Sequence, residues 1–436
     1  MKNMIALLFT LGLIIIITPS KSFATENLQA MIDSAEEGAT IRLEDKTYVG
    51  NIDIRKTITI VGKEKTLIKG DGTGNVISVH APNVELHHLN VANSSMNRNS
   101  SEEYAAIKLY SHHNTLQDIQ IRNSYHGVYL SQSHHNLIQD VNVEGAGKDK
   151  IASQGNGLHV YYSNHNTLIS NSISGTRDGM FFDYANDNRI IGNDIRETRY
   201  GLHYMYSDRN EFSNNLFTFN TGGATIMHSN GIKLSHNRFI FNYGHRSFGL
   251  FLLSSNDIKV ENNEFYLNQR GIYIDQSTNI LYRSNEIIKN QIGIELWASS
   301  NEQSFTENTI QENTIPAVSI GGEGRNSWSL NKKGNDWGKD FPLIDLDQNG
   351  IGDHSVVYQS SLNQLMEKQE LTYLFLKSPA IAVYEELNKY LQKETIMFKD
   401  SYPLISKGGG WIQPIWWFLA IGVTAIIFYV KRRRSL

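Results

Sequence analysis

Hydrophobic and polar residues alternate in short runs along most of the chain, and the runs return at a fixed interval. Asn166 opens the phrase Asn-Thr-Leu-Ile-Ser-Asn-Ser-Ile, and Asn188 and Asn210 open its next two copies. The second Asn of the phrase recurs at Asn171, Asn193, Asn215, Asn237, Asn263, Asn285 and Asn308, in steps of 22, 22, 22, 26, 22 and 23 residues. Earlier copies at Asn114 and Asn136 keep the 22-residue step, and a 30-residue step to Asn166 absorbs the Gly-rich insertion from Gly145 to Gly157. A second phrase, a Gly followed by alternation, shares the period: Gly127-Val-Tyr-Leu, Gly201-Leu-His-Tyr and Gly271-Ile-Tyr-Ile are three of its copies. Period-two alternation makes short strands, and the Asn, Gly and Ser between them make turns.

A coil of this length cannot bury its apolar face alone. Stacking coils about 4.8 Å apart buries a continuous core and pairs every strand with its neighbours. Leucine-rich repeats and propellers carry other phrases and periods. The expected fold is therefore all-β: a single-stranded right-handed parallel β-helix with coils of about 22 residues over 75–330, the hand following the usual crossover. Residues 25–74 read as an N-terminal cap with the first irregular coils, the cap led by the amphipathic stretch Leu28 to Glu37. Beyond an Asp-rich loop at 331–358, apolar residues at helical spacing in Ser361–Leu376 and Pro379–Leu391 predict a short helical C-terminal segment over 359–405.

The two ends carry targeting signals. Lys2, the apolar run Met4 to Thr18 and the small-residue site around Ala24 make residues 1–24 a secretory signal peptide. Residues 411–430 are 20 mostly apolar positions, long enough at ~1.5 Å per residue to cross a bilayer, with Trp411, Trp416 and Trp417 at one edge. Lys431-Arg432-Arg433-Arg434 follows and marks 431–436 as a cytoplasmic tail. The expected protein is exported and anchored to the cytoplasmic membrane by a C-terminal transmembrane helix, with the β-helix on the extracytoplasmic side. The charge is near balance, 40 basic against 44 acidic residues, so no nucleic-acid partner is indicated. There is no Cys. Any metal site must use His, Met, carboxylates or backbone.

Alternation also says which side chains face outward. In the Gly phrase one outward column reads Tyr129, His159, Phe181, His203, Thr225, Phe251, Tyr273 and Glu295, and the next reads Ser131, Tyr161, Asp183, Met205, Met227, Leu253, Asp275 and Trp297. His203, Met205, Met227, His228 and Asp183 form the sharpest candidate, because imidazole plus thioether is a soft set that suits Cu(I); packing against a covering loop or partner is the bland alternative. The pairs His112-His113 and His134-His135 predict a His ladder at a turn. Asp345, Asp347, Asn349 and Asp353 resemble the first half of a calcium loop, although Val356 stands where its bidentate Glu belongs. Asp275 and Glu295 make a weak acid pair, and Asp178 falls at a turn. Nothing else points to catalysis, which leaves a carbohydrate-binding or polysaccharide-modifying β-helix, or a purely structural docking surface, as alternatives.

Four stretches resemble one family, NosD: Thr198 to Phe217, with Gly-Leu-His-Tyr-Met-Tyr at its centre; Arg177 to Asn193; the Asp-rich Gly334 to Tyr358; and Leu374 to Tyr390. The resemblance covers about residues 28 to 404. It implies a non-catalytic maturation factor for the copper centres of nitrous oxide reductase. Such a factor works outside the membrane with an ABC transporter (an ATPase and a permease) and a copper chaperone lipoprotein to supply copper or sulfur to the copper-sulfide centre. The family phrase lands on His203 and Met205. The membrane span departs from the soluble members of the family.

Overall fold

The computed structural model describes residues 27–406, except 148–150, 152, 245 and 323. Every strand of the repeat pairs in parallel with its equivalent one coil on, as Thr167–Ile169 does with Arg189–Ile191 and Arg189–Ile191 with Glu211–Ser213. The result is an all-β parallel solenoid. One sheet of 12 strands runs from Ile52–Ile54 through Tyr200–Met205 to Ile315–Ile320. The remaining strands of the coils join in a 21-stranded sheet that forms two further columns. They join because three early coils use continuous 8-residue strands, such as Leu137–Glu144, against which both Thr167–Ile169 and Ser172–Ser174 of the next coil pair.

The repeated Asn residues hold the turns between these columns. From Asn171 to Asn308 each Nδ2 donates to the Oδ1 of the next Asn at 2.8–3.1 Å, and the ladder ends on Asn335. These side chains are buried, so each hydrogen bond replaces water that the amide has lost. A further ladder, Asn220–Asn242–Asn268–Asn290–Asn313, was not expected. The repeated Gly at the start of the strands of the 12-stranded sheet from Gly127 to Gly293 is required by close approach: a Cβ on Gly201 would lie 2.6 Å from the carbonyl oxygen of Gly223 in the next coil. Inside the coils, stacked Phe217, Phe239 and Phe265 continue the aliphatic core.

Both open ends are closed. Helix α1, Leu28–Ser34, buries Leu28 and Ile32 over the first coil and starts at Asn27, whose side chain accepts from the Gln29 N–H. At the other end, helices α2 (Leu362–Lys368) and α3 (Pro379–Tyr390) lie within a cap. This corrects the purely helical reading of 359–405: Val356–Ser360 and Thr395–Asp400 pair as antiparallel strands around the helices. The second strand is pinned by tertiary contacts. The Asp400 carboxylate accepts from Asn335 N–H at 2.7 Å and Trp337 Nε1–H at 2.9 Å, and Phe398 stacks 4.0 Å from the Trp337 ring. The expected signal peptide 1–24, span 411–430 and tail 431–436 lie outside the described residues; among the described residues no helix is long and apolar enough to cross a membrane.

Candidate functional site

Strand register brings the two outward columns together as alternation requires. His203 pairs with Phe181 on one side and Thr225 on the other; Met205 lies between Asp183 and Met227. Outward does not mean exposed, however. Tyr129, His159, Thr225 and Glu295 are buried, because large side chains of adjacent coils cover one another and two other segments close over them. At one end Tyr129 donates to Glu103, from the loop 94–104. At the other end Tyr373 of the cap donates to Glu295. A cleft of about 610 Å³ lies between this face and the cap, lined by Tyr200, Thr225, Met227, Phe251, Trp297 and Met366 among others.

The centre of the face is an acid–imidazole pair that alternation alone passed over. Asp178, expected at a turn, opens the strand Asp178–Asp183 and is 2 % exposed. Its carboxylate accepts from Arg199 at 2.8 and 2.5 Å and from Nδ1 of His203 at 3.0 Å. Burial opposes ionisation of Asp178, but the bonds from His203 and Arg199 outweigh it and hold the carboxyl below its usual range. An ionised carboxylate only accepts, so the imidazole proton of His203 resides on Nδ1. In the neutral ring Nε2 then presents the lone pair; it is buried and has no protein partner among the described residues. Phe181 and Tyr200 pack the ring edge-on, with centroids at 4.6 and 5.4 Å.

The other candidates fall in different places. Met205 and Met227 are half-buried neighbours in the adjoining column. Asp183 is half-buried beside Met205, its carboxyl raised by burial. His228 leaves the patch. Its φ of +51° turns it onto the exposed rim, where it stacks 5.0 Å from Tyr206 at the end of a ladder with Tyr162 and Tyr184. Asp345, Asp347 and Asp353 accept from the loop's own amides at Asn349, Gly350 and Leu346, and Asn349 accepts from Ile351 N–H, which closes the turn. Glu295 is matched by Arg270 at 2.7 Å and Asp275 by Ser299, so the two do not form an acid pair.

Two further imidazoles sit on the same face. Ligand atoms of Glu103, His126 and His159 lie within 4.8 Å of one another, and Nε2 of both His residues is buried without a partner. Nδ1 of His126 accepts from the backbone N–H of Asn156 at 2.9 Å, which fixes its proton on Nε2. That nitrogen donates and cannot bind a cation. Burial pushes the His126 imidazole down to about 3 and His159 well below its ordinary range, so both are neutral at physiological pH. Of the three buried imidazole nitrogens without a partner among the described residues, the one at His203 is the acceptor nitrogen whenever that ring is neutral. The turn ladder forms as expected, with His113, His135 and His165 stacked at 5.0 and 4.9 Å.

Residues 141–341 match the family model described as periplasmic copper-binding protein, NosD. This stretch contains Asp178, Arg199, His203, Met205 and Met227. No curated protein matches the chain in sequence. Solved structures that share the fold include PfbA, a surface adhesin of Streptococcus pneumoniae, at 14 % identity and TM-score 0.54, over 68 % of this chain and 89 % of that one. They also include the periplasmic alginate epimerase AlgG at 16 % identity and TM-score 0.50, over 70 % and 83 %. At these identities the likeness concerns the fold alone.

Proposed function

We propose that this chain, whose residues 141–341 match the NosD family model, is a NosD-like accessory protein for the maturation of nitrous oxide reductase, handling copper at the Asp178–His203 pair. The supporting observation is the 3.0 Å hydrogen bond between the Asp178 carboxylate and Nδ1 of His203. A carboxylate that takes Nδ1–H orients an imidazole and makes Nε2 a better ligand, and this arrangement recurs behind metal-bound histidines. Met205 and Met227 add the soft thioethers that favour Cu(I) over harder ions. Copper is the cargo here, and it is held long enough to be passed on. Its receiver is the copper-sulfide centre of the reductase, supplied with copper, sulfur or both. The expected partners are the ATPase and permease of an ABC transporter and a copper chaperone lipoprotein, with the solenoid held outside the cytoplasmic membrane by the segment 411–430.

Competitive Cu(I) titration of the full chain in detergent tests this directly. His203→Ala, Met205→Ala and Met227→Ala are each expected to weaken binding, while His228→Ala leaves it unchanged. Wild-type affinity in the first three variants would remove the site. One observation favours a second reading, a carbohydrate-binding or polysaccharide-modifying protein: Tyr200, Phe248, Phe251, Tyr273 and Trp297 give the cleft an aromatic lining on which sugar rings can stack. That reading demands saturable oligosaccharide binding that is lost in Trp297→Ala.

A further inference from the structure

Exposed apolar side chains are concentrated in the C-terminal cap. Leu374, Phe375, Val383, Leu387, Tyr390 and Leu391 are between 55 % and 86 % exposed. On α3 the buried Ile381 and the half-buried Tyr384 face inward, while Val383, Leu387 and Tyr390 recur at steps of four and three and form a separate outward stripe. A helix needs one apolar face to dock on its own domain. This one has two, and the second is uncovered.

The rest of the chain says what covers it. Residues 407–410 separate the last described residue, Ser406, from the apolar run that begins at Trp411. Five residue steps span at most about 18 Å even when fully extended. In the anchored arrangement proposed above, the cap is therefore the part of the molecule held against the bilayer. The charge around the stripe is balanced: Lys377, Lys389 and Lys393 against Glu385, Glu386 and Glu394. A surface with no net charge is not built for anionic headgroups; what it offers lipid is hydrocarbon.

We propose that the outward face of α3 lies in the headgroup–acyl boundary of the membrane's outer leaflet, seating the solenoid on the bilayer through apolar insertion. Docking of this kind is independent of lipid charge and of ionic strength. It fixes the orientation of the cleft, one wall of which is the same cap, relative to the membrane. The inference rests on the anchored reading, and the test separates the two.

The absence of Cys makes site-specific labelling clean. Leu374→Cys, Leu387→Cys and Tyr390→Cys, with Lys259→Cys on the solenoid as control, each carry a polarity-sensitive fluorophore. The full chain is placed in phosphatidylcholine nanodiscs whose acyl chains bear bromine. The expected result is a blue shift and loss of emission at 387 and 390, unchanged by high salt, with no loss at 259. Emission at 387 and 390 equal to the control overturns the proposal, and so does shielding that appears only when a permease or a second copy is added. Alkaline extraction reports on the anchor separately. A chain released from membranes removes the premise and the proposal together, whereas a retained chain with unquenched labels overturns the docking alone.

Discussion

His203 owes its chemistry to a residue 25 positions earlier. Asp178 both accepts the Nδ1 proton and ties the ring to Arg199, so the carboxylate acts through His203 and is a positioning residue. Asp178→Asn keeps the volume but can present an N–H to Nδ1, which moves the ring proton to Nε2 and removes the lone pair. Cu(I) affinity should fall by about 10–100-fold, the range seen when such supporting partners are lost. The chemical shifts of His203 should report the other tautomer in the same variant. A weaker affinity with the original tautomer would assign Asp178 a merely structural part. Alternation identified His203, Met205 and Met227, because period two dictates which side chains leave the coil. It missed Asp178 because the position before the repeated Gly looks like a turn. The available signal was the column itself, which carries His126, Asp178, Tyr200, Phe248 and Arg270 in that position. Alternation grouped His228 with His203, Met205 and Met227, and the left-handed backbone at that position turns the side chain onto the exposed rim.

Among elements, the Asn ladders decide how coils stack. Asn237 donates to Asn263 and to the carbonyl of Phe212, and accepts from the N–H and Nδ2 of Asn215. Asn237→Ala leaves buried partners on both neighbouring coils without replacement. A cost of about 1–3 kcal/mol in denaturant unfolding is expected, even though no apolar contact is lost. A variant as stable as the wild type would mean that water enters the turn and substitutes for the amide. The ladder beginning at Asn171 was legible in the sequence because its spacing is the coil length. The cap strand Thr395–Asp400 was not, because what makes it a strand is an antiparallel partner 35 to 44 residues earlier and the anchoring of Asp400 on Asn335 and Trp337.

At the scale of the whole molecule, the buried face makes stability depend on pH. His126 is neutral in the folded protein down to about pH 3, whereas an unfolded His takes up a proton near 6.5. As pH falls through that window the unfolded chain binds the proton first, so stability present above about pH 6.5 is lost progressively toward pH 3. Asp178 adds to the loss at the acid end. Its folded carboxyl is depressed, so its contribution is present above the ordinary carboxyl range and disappears as pH drops through the lower folded value. The melting temperature should therefore decline below about pH 6.5, and His126→Phe should flatten that decline while keeping an aromatic ring in place. An unchanged slope in the variant would place the acid sensitivity elsewhere.

The repeat by itself determined the parallel solenoid, the coil length, the Asn171 ladder and the two outward columns, because each follows from spacing along one chain. Only the tertiary structure decided which outward groups are buried, which imidazole nitrogen carries a proton, and where the cap closes on the face. Those outcomes depend on neighbours supplied by other coils and by segments far away in sequence. The pair Asp178–His203 shows the difference plainly: the period put each residue on its coil, and the stacking of the coils brought them into contact.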